Sequence, residues 1–270
     1  MQKKIALVTG AASGMGRIYA RTLVEQGFHV VAIDVNASGL RDTAGGSDDF
    51  TPITCNIADH AEVAAIVESI ELDVGVIESA VHCAAIMPGR AAINEDMTSL
   101  RRLMDINYFG TLAIIDTVVR RMAERNRGRV VVFGSVAGDA MVPNMASYCA
   151  TKAAVNVYTE SLINELRFAG SKVNVHLVKP PAVDTPLVDQ LINTETPGSI
   201  ITARETGRLA DPEKIVAAIE RSIARGKTVI YPGSARLLSL WHCLLPRLWW
   251  KTVSSYEKKP HTIGDNKFSH

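Results

Sequence analysis

Short runs of β-branched and apolar residues alternate along the chain with stretches of helical period, and this alternation restricts the architecture more than any other feature. Residues 5–8, 30–33, 51–55, 79–82, 130–133, 173–178 and 229–231 read as strands with few polar interruptions. Strands of that kind belong in a sheet covered on both faces. Between them, Val63, Ile66, Val67 and Ile70 keep the spacing of one helix face, and Leu103, Met104, Ile114, Ile115, Val118, Val119 and Met122 do so over a longer helix. The repetition predicts a doubly wound α/β fold, one parallel seven-stranded sheet with helices on both sides. No linker rich in Pro, Gly or Ser divides the pattern. One domain is therefore expected over 1–235, with the proline-rich stretch 180–210 as a flap over a substrate and an apolar tail over 236–270.

Charge excludes some functions. With 29 basic and 28 acidic residues the net charge is +1, which leaves no electrostatic footprint for nucleic acid. Cys55, Cys83, Cys149 and Cys243 contain no C-x-x-C pair and have no clustered histidines beside them, so neither a disulfide framework nor a metal site is expected. Lys3 and Lys4 precede a short apolar run that Thr9, Gly10, Ser13 and Gly14 break too early for a signal peptide; a cytoplasmic chain is expected.

After the first strand stands Thr9-Gly10-Ala11-Ala12-Ser13-Gly14-Met15-Gly16, which opens a helix carrying Ile18, Tyr19, Thr22 and Leu23. Glycines at that point allow a tight turn and close backbone approach to a pyrophosphate, with free amides at a positively polarised helix N-terminus. Asp34 ends the second strand 24 positions after Gly10, where a carboxylate accepts hydrogen bonds from ribose hydroxyls and repels a 2′-phosphate. Alone, three glycines are as often just a loop; the strand, turn, helix, strand, acid order favours the dinucleotide reading. A nucleoside-triphosphate P-loop is excluded, because no Gly-Lys-Ser or Gly-Lys-Thr follows.

Tyr148 and Lys152 are four apart, on one face of a helix, so that an ammonium sits close enough to act on a phenol. A free tyrosine is a poor base at neutral pH, and a neighbouring cation favours its phenolate. Ser135 falls at the C-terminal end of the fifth strand, where ligands bind in open α/β sheets. A tyrosine and lysine at that spacing are usually coincidence; the glycine turn gives them weight.

Together these motifs make the sequence resemble the short-chain dehydrogenase/reductase family, from Lys3 to about Pro186 and more weakly to Pro232. The cofactor turn of that family is T-G-x-x-x-G-x-G, and its active site is Y-x-x-x-K with a serine 13 residues earlier, as in Ser135 and Tyr148. Asn107 matches a further asparagine. The resemblance implies a Rossmann fold and a nicotinamide cofactor, NAD in preference to NADP because Asp34 is followed by Val35. It implies Tyr148 as general acid/base, Lys152 lowering its pKa and holding the nicotinamide ribose, Ser135 on the substrate oxygen, and Asn107 holding a water. Asn107 equally reads as an amide satisfying a helix bend. Cofactor contacts are implied at Gly10, Ser13, Gly14, Met15, Gly16, Asp34, Asn56, Ile57, Ala84, Tyr148, Lys152, Val183 and Thr185. A homodimer or homotetramer through the long helices is implied too.

Three positions depart from the family pattern. His82-Cys83-Ala84-Ala85 replaces Asn-Asn-Ala-Gly, Pro180-Pro181 replaces Pro-Gly, and Asn56 replaces an aspartate. Met141, Val142, Met145, Leu187, Val188, Leu191 and Ile192 suggest an apolar alcohol or ketone of steroid, terpenoid or acyl kind, or simply a packed flap. An NADPH-dependent acyl ketoreductase and a non-catalytic NAD sensor are the competing readings. Lastly, Leu237 to Trp250 gathers leucines and all three tryptophans beside Arg236, Arg247 and Lys251. It is too short to span a bilayer, which takes roughly 20 apolar residues, but 236–251 has the composition of an interfacial helix broken at Pro246. Packing over the cleft or against another subunit is the alternative.

Overall fold

The computed structural model describes residues 3–192 and 195–257; of the tail, 258–270 lie outside the described residues, as does the side chain of Ile192. Seven parallel strands, β1 (Lys4–Thr9), β2 (Phe28–Asp34), β3 (Phe50–Thr54), β4 (Ile77–His82), β5 (Gly128–Phe133), β6 (Val173–Val178) and β7 (Val229–Ile230), stand in the order β3-β2-β1-β4-β5-β6-β7. Each lies within two residues of the run read from sequence, because strands buried on both faces announce themselves as unbroken apolar stretches.

Alternation within β1 shows how the layers divide. Ile5 and Leu7 face a core shared with α3 (His60–Ser69), α5 (Gly110–Glu124) and α6 (Ala146–Phe168), while Ala6 and Val8 face a core shared with α1 (Gly14–Glu25), α2 (Ala37–Ala44) and α9 (Pro212–Ala224). Strand order reverses between β2 and β4 on either side of β1. The helices that follow β1 and β4 therefore leave on opposite faces and open a crevice at the carboxyl ends of the strands.

The long helix expected around Leu103–Met122 is not continuous. α4 (Met97–Met104) passes into α5 through a turn of π-helix at Asp105–Phe109. Two short helices, α7 (Pro186–Ile192) and α8 (Gly198–Glu205), follow β6. The tail forms α10 (Ala235–Leu244) and α11 (Pro246–Glu257), interrupted at Pro246 as its missing amide requires. These two fold back on each other with Trp241 and Trp249 edge to face, ring centres 5.4 Å apart. Trp249 Nε1 donates to the Met141 carbonyl at 2.9 Å, and the Gly198 amide donates to Glu257 Oε1 at 2.9 Å.

Candidate active site

Two adjoining cavities occupy the crevice. The larger, about 620 Å³, runs over the glycine turn; the smaller, about 360 Å³, lies over the ends of β5 and β6 and shares Met15, Cys83, Ala85, Thr185 and Leu187 with it.

Bare backbone shapes the floor of the larger cleft. Gly10 has φ +69°, and a Cβ there would come within 2.7 Å of the Ala84 amide nitrogen; at Gly16 a Cβ would lie 2.1 Å from the Gly10 carbonyl oxygen. A side chain at Gly10 would push the turn from the chain after β4, and one at Gly16 would push α1 from the turn. Helix α1 starts after Ser13 with no side chain capping its first turn and no acidic residue in it, so its amides are left for an anion. Asp34 braces the turn: Oδ2 accepts from the Ala12 amide at 3.1 Å and Oδ1 from the Asn36 amide at 3.0 Å. Gly10, Ser13, Gly14, Met15, Gly16, Asp34, Asn56, Ile57, Ala84 and Thr185 all line this cleft.

Ser135, Tyr148 and Lys152 line the smaller cavity, together with Val183. The Ser135 and Tyr148 side chains line the same cavity, and Ser135 Oγ accepts from the Ala137 amide at 3.0 Å. Burial pushes the Tyr148 phenol above its ordinary value, with the nearby Ser135 hydroxyl opposing it. Lys152, 3% exposed, donates to the Phe133 carbonyl at 2.8 Å, and its Nζ stands 6.0 Å from the centre of the Tyr148 ring. Burial lowers its pKa to about 8. A buried ammonium one helical turn from a buried phenol, beside a hydroxyl, is an arrangement for moving one proton at an oxygen atom.

A family model described as short chain dehydrogenase matches residues 4–196. The chain belongs to the short chain dehydrogenases. Among relatives, a 2-dehydro-3-deoxy-L-rhamnonate dehydrogenase (NAD(+)) from a Sphingomonas species is 33% identical over 70% of this chain and 75% of that protein. A cis-4-hydroxycyclohexanecarboxylate dehydrogenase from Sinomonas cyclohexanicum is 32% identical over 80% of this chain and 88% of its own length. Among solved structures, an actinorhodin polyketide ketoreductase variant with NADPH superposes with a TM-score of 0.76 at 26% identity, covering 86% of this chain and 97% of the other.

In this short chain dehydrogenase Asn107 lines neither cavity. Fully buried in the π turn, it clamps the strand end: Oδ1 accepts from the Ile86 amide at 2.9 Å, and Nδ2 donates to the Ile86 carbonyl at 2.8 Å and to Thr151 Oγ1 at 3.2 Å. Its carbonyl accepts from the Thr111 hydroxyl at 2.6 Å. Thr111 Oγ1, its hydrogen so committed, accepts from His82 Nε2 at 2.8 Å, which leaves Nδ1 to accept from the Thr9 hydroxyl at 2.8 Å. His82 is thereby a neutral bridge between β1, β4 and α5, and burial takes its pKa down to about 3.

Sequence reading missed two supports. Asn156 Nδ2 donates to the Ser135 carbonyl at 2.9 Å and its Oδ1 accepts from the Ser135 amide at 3.3 Å, fixing the loop that carries the serine; its place on α6, one turn beyond Lys152, was the available signal. Behind it, buried Lys179 donates to Asp139 Oδ1 at 3.1 Å, and Tyr231 and Ser239 donate to Asp139 Oδ2 at 2.9 and 3.2 Å. That knot ties β6, β7 and α10 to the loop after β5. Of the apolar residues assigned to a substrate pocket, Val142, Met145, Leu187 and Val188 line the smaller cavity, whereas Leu191 packs beneath it against Leu103 and Tyr148.

Proposed function

We propose that this chain is an NAD-dependent oxidoreductase that interconverts a secondary alcohol and a ketone with a largely apolar body. The gathering of Ser135, Tyr148 and Lys152 in the smaller cavity, which adjoins the glycine-turn cleft, carries the reading. The uncapped helix start and a turn whose close backbone packing admits no Cβ at Gly10 or Gly16 fit a dinucleotide pyrophosphate, with Asp34 on the adenosine ribose and Val183 and Thr185 beside the nicotinamide. When bound, the nicotinamide supplies or accepts the hydride. Tyr148 gives the balancing proton to a carbonyl oxygen or takes it from an alcohol, and Ser135 holds that oxygen. Lys152 holds the nicotinamide ribose and, as a cation, favours the phenolate. Asn107 keeps the strand end and α6 in register for it.

NADP stands as a second reading because Arg101 and Arg102 of α4 also line the larger cleft and one relative is a ketoreductase with NADPH. Steady-state kinetics with both cofactors against a panel of secondary alcohols and ketones test the proposal. Tyr148→Phe is expected to lower kcat at least about a thousandfold while NAD affinity stays within twofold, since general acid–base catalysis by a placed group is worth roughly that much. Retained turnover within tenfold overturns the assignment. Asp34→Ala with Val35→Arg is expected to move preference toward NADP; a wild type that already prefers NADP overturns the cofactor reading.

The proposal extends to organisation. Residues 1–235 are the cofactor-binding domain, 180–210 its flap and 236–270 the tail, of which the described part to Glu257 closes the substrate side. Copies associate through the long helices, where Val157 and Phe168 of α6 are 68% and 81% exposed.

A further inference from the structure

The tail helices have two apolar faces, and only one of them is used. Inward, Trp241, Trp249 and Val253 roof the smaller cavity. Outward, Leu237, Leu240, Leu244, Leu245, Leu248 and Trp250 are between 41% and 72% exposed, the first three on one helical stripe. Single exposed leucines are ordinary, but a run of six large apolar side chains within fourteen residues is a patch of the kind that marks an interaction surface.

The patch's charges decide what covers it. Arg236, Arg247 and Lys251 border it, exposed and with no ion pair among the described residues, and no acidic residue occurs from 236 to 256. A two-fold contact between copies would set this surface against itself and bring unpaired cations together. An anionic lipid surface instead takes leucine and tryptophan into the headgroup boundary while arginine and lysine meet phosphate. No helix among the described residues is long and apolar enough to cross a membrane, so the contact is peripheral.

We propose that α10 and α11 dock the enzyme on anionic membranes, so that the roof of the substrate cavity is also the membrane-facing surface. The supply of a lipid-soluble alcohol or ketone from the bilayer rests on the substrate reading above; the docking itself does not. Its test therefore reads binding apart from turnover.

The full chain should cosediment with vesicles of phosphatidylcholine and phosphatidylglycerol, at least about tenfold more than with phosphatidylcholine alone, and should be released by added salt. Leu244→Ser/Leu248→Ser/Trp250→Ser and, separately, Arg247→Glu/Lys251→Glu should each lower that partition at least about tenfold, leaving turnover of a water-soluble alcohol within twofold. None of these side chains lines the cavity, so a change in turnover is not expected from lost substrate contacts. A wild-type protein that stays in the supernatant with anionic vesicles overturns the proposal. So does equal binding by wild type and both variants, or a triple variant whose only change is a smaller assembly in sedimentation velocity, which would assign the patch to a second copy. Should the triple variant fail to fold, the charge reversal and the salt dependence of the wild type decide the matter.

Discussion

His82 shows how a buried histidine makes a fold sensitive to acid. In the native protein its ring is held neutral with a pKa of about 3, whereas an unfolded histidine titrates near 6.5. Between those values only the unfolded chain takes up the proton, so stability from this group is full above about 6.5 and falls by about 1.4 kcal/mol per pH unit below it. His82→Asn should flatten that slope: relative to wild type the variant gains about 2 kcal/mol between pH 7 and 5, read from urea midpoints. Lys152 bears the opposite burden. Its pKa, lowered by burial to about 8 from 10.5, means that the charged form costs stability at neutral pH, a cost that fades as pH rises from 8 to 10.5. Lys152→Met should therefore abolish turnover yet gain about 1–2 kcal/mol in stability at pH 7, the depressed pKa outweighing the lost bond to Phe133. Equal or lower thermal stability in calorimetry would show that the ammonium is better solvated than its burial implies.

Helices α10 and α11 separate what the two cavities do. Among the described residues none beyond Gln190 lines the larger cavity, while four side chains of α11 line the smaller one. Trp249→Ala should cost about 3 kcal/mol or more through the cavity left under α11 and raise KM for an apolar substrate, with the Kd for NAD, measured by calorimetric titration, unchanged. The strands, the glycine turn, and Tyr148 with Lys152 were legible in the sequence because each is local: an apolar run, a loop between two elements, or two residues one helical turn apart. The π turn at Asp105–Phe109 was not, since its residues suit an α-helix equally well and the extra residue per turn is imposed by the Asn107 clamp on Ile86. Nor was the knot around Asp139, whose partners Lys179 and Tyr231 lie 40 and 92 positions away and meet only once β6 and β7 are paired. His82 drew notice only as a departure from a pattern, because its partners Thr9 and Thr111 are likewise brought to it by the sheet.

At the scale of the whole molecule, exposed apolar side chains stand on α6 and on the tail, and the proposals above give these two surfaces different partners. Val157→Glu on α6 should convert the associated form to monomer in sedimentation velocity without altering vesicle binding; a variant that remains associated would place the subunit contact elsewhere. The parallel sheet also dictates an order of events during synthesis. Strand β1 pairs with β2 on one side and with β4 on the other, and 42 residues separate Asp34, the end of β2, from Ile77, the start of β4. At roughly 5–20 residues per second, the ribosome leaves one edge of the nascent β1 unpaired for several seconds after β2 has emerged. A strand with five of its six residues buried in the native sheet is thus, early in its life, an open template for another chain, and the first half of this protein is the part whose folding most needs protection from its neighbours.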